Sequence, residues 1–329
     1  MTQNPSIASV TLAYNSEQFL PQHLEALRRQ SRSLDEIIIV DNGSNDGTRQ
    51  LLREQYPQVK LLDFPSNLGV GGGYTAGLTY AGLERMHDWV WLLDQDSVPA
   101  IGALESLLNA LRSLGKAGDD IGILAPTISH SGTGLTYSGM LWRSGLMRPP
   151  AKMLDQPMYY ADATISSGSL IRREVIEKVG LPRADFFIDF VDVEYCLRIR
   201  RHGYKIAIVR DSQMSHAIGN PRITKILGIS KAWGGHPPWR EYYMSRNETY
   251  TIWHLYPTWK SKLSVFRRLL RHAAAILVFG EGRLASLKMV LLGFLDGRAG
   301  RLETKFRPEN PTGSHKESAE AVLNPAPKT

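Results

Sequence analysis

The sequence predicts an α/β fold in which a largely parallel sheet is covered by helices on both faces. Through the first third of the chain, short apolar runs alternate with segments of helical period. Two of the runs, Glu36–Val40 (EIIIV) and Trp89–Leu93 (WVWLL), show almost no polar alternation. Strands of that kind are buried on both faces, which is the condition of a parallel sheet. The sequence has no long internal period, which excludes a solenoid.

Ile7–Ala13 reads as the first strand. Phe19, Leu20, Leu24 and Leu27 follow at helical spacing, with Ser16 as the expected N-cap. Glu36–Val40 is the second strand and ends at Asp41. A helix through Leu51 and Leu52 leads to a strand at Lys60–Phe64. A glycine-rich turn then precedes a helix near Tyr74–Arg85, and the WVWLL strand runs into Asp94. From about residue 120 the alternation loosens. Ile121–Ile128 reads as a strand, 129–156 is rich in Gly, Ser and Pro, and 160–216 forms a compact second half. The stretch 217–240 reads as a long mobile loop, helical period returns after Arg240, and the polar stretch beyond Pro308 reads as disordered. No linker separates the halves. The expected organisation is one domain over 1–256, a helical extension over 257–307 and a tail over 308–329.

Composition narrows the function classes. With 329 residues, 43% hydrophobic and 22% charged, the chain is an ordinary globular protein able to bury a large core. Its net charge of +7 is unevenly placed: residues 1–256 carry 26 basic and 26 acidic side chains, and 257–307 carry 11 and 3. A nucleic-acid binder needs its basic patch on the folded domain, so this distribution points instead to an anionic membrane surface. The single cysteine, Cys196, rules out an internal disulfide. The first thirty residues do not have the pattern of a signal peptide. The apolar run Ala273–Gly280 is far shorter than the roughly 18 residues that span a bilayer. The expected location is cytoplasmic, either free or peripheral on the inner face of the membrane.

Three acids fall where a parallel sheet binds ligands, at the carboxyl ends of its strands. Asp41 follows IIIV; Asp94 follows WVWLL, with Asp96 two residues on. Two carboxylates spaced D-x-D on a tight turn can converge on one divalent cation, and hard oxygen ligands favour Mg²⁺ or Mn²⁺. The plainer alternative is a polar turn. Asp41–Gly47 (DNGSNDG) looks superficially like a calcium loop, but a strand precedes it and its second glycine falls at the seventh position, not the sixth. Asn67–Gly77 (NLGVGGGYTAG) lets the main chain approach a ligand, with helix N–H groups that favour phosphate. A dinucleotide fingerprint nearly fits Gly71–Ala76, which keeps a nicotinamide-dependent oxidoreductase as an alternative. That fingerprint belongs at the first strand-to-helix turn, however, and here that turn reads Ala13-Tyr14-Asn15. In FFIDFVDVEYCLR, Asp192 begins a helix on which Glu194 and Arg198 pair four apart. Its apolar neighbours can desolvate the Asp192 carboxylate, as a general base requires. His216, beyond the strand-like Ile206–Val209, offers a third metal ligand or is structural.

Taken together, TLAYN (11–15), VDNGSNDGT (40–48), NLGVGGGYTAG (67–77), WLLDQDS (91–97), ISSGSLI (165–171), FFIDFVDVEYCLR (186–198) and REYYMSRN (240–247) resemble the inverting GT-A glycosyltransferases of family 2, over residues 6–250. LLDQDS with FIDFVDVEY narrows the resemblance to the rhamnosyltransferase-like branch; related galactofuranosyltransferases share much of the layout. The resemblance implies a Rossmann-like nucleotide-binding domain with a mixed central sheet. It implies transfer of a sugar, foremost L-rhamnose from dTDP-L-rhamnose and next galactofuranose from its UDP donor. The acceptor would be a glycan or a lipid-linked hydroxyl, in bacterial surface-polysaccharide synthesis. By the same resemblance Ala13, Tyr14, Asn15 and Asp41 line the nucleotide pocket, and Asn67, Gly69 and Gly72 sit near the donor sugar and diphosphate. Asp94 and Asp96 form the D-x-D element, with Asp96 and His216 on a Mg²⁺ or Mn²⁺ ion, and Asp192 is the catalytic base. Val191 stands where many relatives carry an acid. Gly168 is implied on the acceptor side, and Arg240, Tyr243 and Arg246 are implied in acceptor or diphosphate contact. In the extension, Phe266, Leu269, Leu270, Ala273 and Leu277 form one helical stripe with Arg267, Arg268 and Arg271 around it. It suits either an anionic leaflet or packing on the domain.

Overall fold

The computed structural model describes residues 5–308 except 131–135, 217–221, 227–228, 234–235 and 281, and within 222–233 it describes the backbone alone. Four parallel strands build the first half of the sheet: β1 (Ile7–Ala13), β2 (Glu36–Asp41), β3 (Lys60–Asp63) and β4 (Trp89–Asp94), in the order β4-β1-β2-β3. The continuous apolar run in β4 is explained by its two faces. Val90 and Leu92 enter one cluster with Val10, Leu12, Tyr74 and Ile176. Trp89, Trp91 and Leu93 enter a second with Leu104, Leu107 and Leu111. Alternate residues of a strand point to opposite faces, so only a doubly covered strand can be apolar throughout.

The second half is mixed. β5 (Val98–Pro99), β6 (Ile121–His130), β7 (Thr136–Tyr137), a small hairpin of β8 (Leu141–Trp142) and β9 (Leu146–Met147), β10 (Met158–Ala161), β11 (Leu170–Arg172) and β12 (Lys205–His216) follow in sequence. The main sheet has the order β10-β12-β6-β11-β4-β1-β2-β3. β11 runs antiparallel to both β4 and β6, and β12 is parallel to β6. The parallel arrangement suggested by the strand–helix alternation thus describes the first half, and the whole sheet is mixed, as the family resemblance implies. As a consequence β1, β2, β4, β6 and β12 all point the same way. That brings the last residue of β12, His216, to the same sheet edge as Asp41 and Asp94.

The helices are α1 (Leu20–Arg28), α2 (Thr48–Gln55), α3 (Gly69–Leu78), α4 (Ala103–Ser113), α5 (Ala151–Leu154), α6 (Arg173–Val179), α7 (Val191–Arg201), α8 (Pro238–Leu255), α9 (Trp259–Phe279) and α10 (Arg283–Ala299). Three expectations are corrected. Ser16 does not cap α1: its hydroxyl bonds the Gln95 side chain and accepts the Tyr14 N–H at 2.9 Å, and only its carbonyl reaches the helix start. The glycines of 69–73 are the first turns of α3, not a turn before it. A Cβ at Gly71 would meet the Arg183 carbonyl and one at Gly73 the Leu12 side chain, so these glycines let α3 lie close on the sheet and the 183–187 loop. The dinucleotide reading loses its footing there. Finally, 217–240 contains an antiparallel hairpin, β13 (Arg222–Ile226) with β14 (Ile229–Trp233), and the start of α8. The tail expected over 308–329 lies outside the described residues apart from Pro308.

The extension does not stand apart. α10 packs along α8, and Asp296 accepts the Tyr242 hydroxyl at 2.7 Å. Among the described residues no helix is long and apolar enough to cross a membrane.

Candidate active site

Asp94 and Asp96 flank Gln95 on the turn leaving β4, and β12 delivers His216 between them. The His216 Nε2 lies 3.4 Å from Asp94 Oδ2, and its Nδ1 lies 2.9 Å from Asp96 Oδ1. One ligand atom from each of the three residues falls within 4.8 Å of the others. Nδ1 is buried and, despite that short distance, makes no hydrogen bond of acceptable geometry. An imidazole and two carboxylates with an unused buried nitrogen fit Mg²⁺ or, because imidazole is included, Mn²⁺ rather better. Burial disfavours the charged His216, but its contact with Asp96 and the nearby Asp94 charge outweigh that and raise its pKa. Burial likewise raises the Asp94 pKa, against the opposing pull of His216 and Tyr74.

This turn is braced by residues that no sequence motif singled out. Gln95 accepts the Tyr14 N–H at 2.7 Å, tying the β1 loop to the D-x-D turn. Tyr74, fully buried on α3, donates its hydroxyl to Asp94 at 2.6 Å. His23 is buried, and its pKa is pushed down to about 4 chiefly by that burial, so the ring is neutral at pH 7. Its Nδ1 must donate to the Ser97 carbonyl (2.6 Å), which leaves Nε2 to accept the Thr11 hydroxyl (2.8 Å). A Ser97–Ser167 hydroxyl pair (2.5 Å) supports the turn from the β11 side.

The residues expected on the nucleotide side form a closed floor. Asp41 is inaccessible; its Oδ2 accepts from Arg49 Nε (2.6 Å) and Ser44 N–H (3.3 Å), while its buried Oδ1 has no partner. Asn15 donates its backbone N–H to Ser44 and accepts the Asn45 N–H, both at 2.9 Å, and the Ala13 carbonyl accepts the Asn42 N–H. Asn67 Oδ1 accepts from Gly69 N–H and Asn42 Nδ2, and Asn42 Oδ1 accepts the Leu68 N–H. The Gly71 N–H goes to the Phe187 carbonyl. The donors at 68, 69 and 71, expected to favour phosphate, are thus spent inside the protein. Gly72 is buried within α3.

Asp192 opens α7 on the far side of the same cleft. Only part of its surface reaches solvent, and protein surrounds the rest. Its pKa is pushed up to about 6, first by burial and then by the charges of Asp189 and Asp94. Asp94 and Asp192 both act electrostatically on the buried Tyr74, and Asp94 acts on Asp192, so the two acids stand near one another. The expected Glu194–Arg198 pair forms as a bidentate contact at 2.9 and 3.0 Å, with Glu194 buried. The loop ahead of Asp192 is strained: Phe187, Asp189 and Phe190 all have φ between 61 and 64°. Such non-glycine residues cost of order 1–3 kcal/mol each and persist only when surroundings over-determine them. Here Asn247 Nδ2 reaches the carbonyls of Phe186, Ile188 and Asp189 at 2.8–2.9 Å, and Arg246 Nη2 reaches those of Asp185 (2.6 Å) and Phe186 (3.2 Å). Arg240 pairs with Asp189 through two bonds at 2.8 and 2.9 Å.

Three of the residues expected on the acceptor side are enclosed in the protein. Tyr243 and Arg246 are buried and their polar atoms are bonded within the protein, Tyr243 to Phe306 and Arg246 to the carbonyls of 185, 186, 302 and 303 and to the Asn247 side chain, so both hold loops. Gly168 (φ +86°) is buried, and its N–H and carbonyl bond Leu92 and the Trp91 indole, making it a joint of the sheet. Arg240 remains partly open beside Asp189.

Comparison with known proteins fits this geometry. The profile of glycosyl transferase family 2 matches residues 9–180. A dTDP-rhamnosyl transferase of Shigella flexneri is 28% identical over 90% of this chain and 97% of its own. A galactofuranosyltransferase of Mycolicibacterium smegmatis is 25% identical over 69% of this chain and 76% of its own. An N-acetylglucosaminyl-diphospho-decaprenol L-rhamnosyltransferase of Mycobacterium tuberculosis is 24% identical over 63% and 74%. Among solved structures, GalNAc-T7 with UDP, GalNAc and Mn²⁺ superposes with a TM-score of 0.60 at 15% identity, over 91% of this chain and 57% of that one. Staphylococcus aureus TarS with UDP gives 0.56 at 12%, over 92% and 93%. These likenesses fix the fold as GT-A-like, with added C-terminal helices.

Proposed function

The chain belongs to glycosyl transferase family 2, and from that premise we propose that it transfers L-rhamnose from dTDP-L-rhamnose to a hydroxyl of a glycan or lipid-linked acceptor, with inversion, in bacterial surface-polysaccharide synthesis. The observation that carries the reading is the meeting of Asp94, Asp96 and His216 with a desolvated Asp192 across one cleft. Rhamnose is favoured over galactofuranose by the relative that spans nearly the whole of both chains. The oxidoreductase alternative has no glycine turn at β1, and its glycines at 71–73 lie within α3.

In this mechanism Asp192 takes the proton of the acceptor hydroxyl as that oxygen forms its bond to the anomeric carbon. The anomeric carbon–phosphate oxygen bond breaks on the opposite face, and the nucleoside diphosphate leaves with the electron pair. Asp41, expected to face the base, is inaccessible and braces the floor of the pocket through Arg49 and Ser44. Asp94, Asp96 and His216 would hold a divalent cation, which would supply neutralisation of the diphosphate charge. Asp96→Ala should weaken binding of dTDP measured with Mn²⁺ by about tenfold or more, and leave binding in EDTA unchanged. Equal calorimetric affinities for wild type and variant in Mn²⁺ would remove the metal assignment.

We further place the protein peripherally on an anionic leaflet. Phe266, Leu270 and Leu277 of α9 are each about half exposed at 50–55%, and Leu284, Leu291 and Leu295 of α10 are exposed too. Val265 and Ile276 take the buried side; Arg268 pairs with Glu248 while staying about half exposed, and Arg267 and Arg271 are exposed as well. An exposed apolar stripe flanked by basic residues suits the interface of a charged membrane. The triple change Phe266→Ser, Leu270→Ser, Leu277→Ser should abolish flotation with anionic liposomes while keeping the melting temperature. Unaltered flotation of the variant would dismiss the surface.

A further inference from the structure

The segment after α10 has almost no regular structure, yet it is pinned along its length. Arg301 Nε and Lys305 Nζ bond the two oxygens of Asp296 at 2.7 and 2.5 Å. Arg246 Nη1 reaches the carbonyls of Leu302 and Glu303 at 3.0 and 2.9 Å. The Tyr243 hydroxyl donates to the Phe306 carbonyl (2.7 Å) and accepts its N–H (3.1 Å), while the Phe306 ring meets Tyr242 edge-on at 5.0 Å. Each of these anchors traces to the REYYMSRN segment of α8, directly or through Asp296, which Tyr242 holds. The same residues steady the loop that carries Asp192.

What this strap delivers is Arg307. Its Nη1 bonds the Asn67 carbonyl, and its guanidinium lies 5.9 Å from the centre of the Phe187 ring. Asn67 leads into α3 on the nucleotide side of the cleft, and Phe187 opens the loop to Asp192, so Arg307 stands where the two meet. The backbone donors beside it, at 68, 69 and 71, are already used, and Arg240 is paired with Asp189. The cleft is otherwise rich in carboxylates. An anionic diphosphate held there needs positive charge besides a cation at Asp94, Asp96 and His216, and guanidinium offers a fork of N–H donors suited to phosphate oxygens.

We propose that Arg307 is a donor-binding residue: anchored at the Asn67 carbonyl, its guanidinium directs its remaining N–H groups to the diphosphate of the nucleotide sugar. The assignment rests on the nucleotide-sugar reading above. It makes the C-terminal strap part of the donor site, and gives the REYYMSRN segment the task of placing both the base and this cation.

The test is calorimetry on the full chain with Mn²⁺, titrating UDP, dTDP, UMP and dTMP into wild type, Arg307→Met and Arg307→Lys. Methionine keeps an apolar stem over Phe187 without the charge. The expected result is a loss of about tenfold or more in diphosphate affinity for Arg307→Met, with monophosphate affinity within about twofold and partial recovery in Arg307→Lys. Undiminished diphosphate binding by Arg307→Met overturns the assignment. So does an equal loss for mono- and diphosphates with a lowered melting temperature, which would make Arg307 a brace only. A wild type that binds neither diphosphate overturns the donor reading itself, and this assignment with it.

Discussion

Asp192→Asn is expected to lower kcat by roughly 10²–10⁴-fold, the usual contribution of a general base, while dTDP binding stays within about twofold of wild type. The same variant carries a stability signature. With a folded pKa of about 6 against an ordinary 3.8, Asp192 keeps its proton in the folded state where the unfolded chain has released it. Stability therefore falls as pH rises from about 4 to 6 and stays reduced above. The shift sets a ceiling of about 3 kcal/mol; the side chain is partly open to solvent, so about 1–2 kcal/mol is the expected effect. The asparagine variant should thus melt above wild type at pH 8 and together with it near pH 4. Wild-type turnover should rise through an apparent pKa near 6. A variant that loses nucleotide binding and stability along with activity would show a folding role in place of a chemical one.

Asn247→Ala is expected to be the most damaging change away from the chemistry. It strips a donor from three carbonyls of the strained 186–189 loop; that of Phe186 keeps Arg246 Nη2 and the Ile188 N–H, so the loss falls on Ile188 and Asp189. Leaving buried acceptors unsatisfied costs about 1–3 kcal/mol each, and the left-handed residues Phe187, Asp189 and Phe190 lose their restraint. We expect a destabilisation of about 3 kcal/mol in urea unfolding and a fall in kcat of about 10²-fold, because a base displaced by an ångström loses its alignment. Nucleotide affinity should suffer much less, since Asp41 and the D-x-D turn hang on β2 and β4. A variant with wild-type kcat and reduced stability would mean that the loop finds its shape without Asn247.

The sequence shows clearly the residues whose neighbours are local. Asp41 and Asp94 could be placed because each ends an apolar run, and the end of a buried strand is an edge wherever the sheet lies. Glu194 and Arg198 could be paired because four residues on a helix is a fixed distance. The REYYMSRN segment was legible as a motif but not as a device: its partners at 185–189 and 302–306 lie some 55–65 residues away in either direction. The bracing roles of Gln95, Tyr74 and His23 carried no signal, since each acts through hydrogen bonds to residues distant in sequence. Glycines misled in the usual way, because absence of a side chain serves close packing and ligand approach alike, and here α3 uses it for packing.

What the sequence determined by itself is the strand–helix order, the strand-end acids and the class of chemistry, because these follow from periodicities of two and 3.6 residues and from short motifs. Only the tertiary structure decided that β11 turns antiparallel, that β12 therefore brings His216 to Asp94 and Asp96, and that a C-terminal strap carries Arg307 to Asn67. The physical reason is that sheet order and long-range hydrogen bonds are set by which buried surfaces and polar groups satisfy one another across the whole chain. A local window of residues does not contain that information.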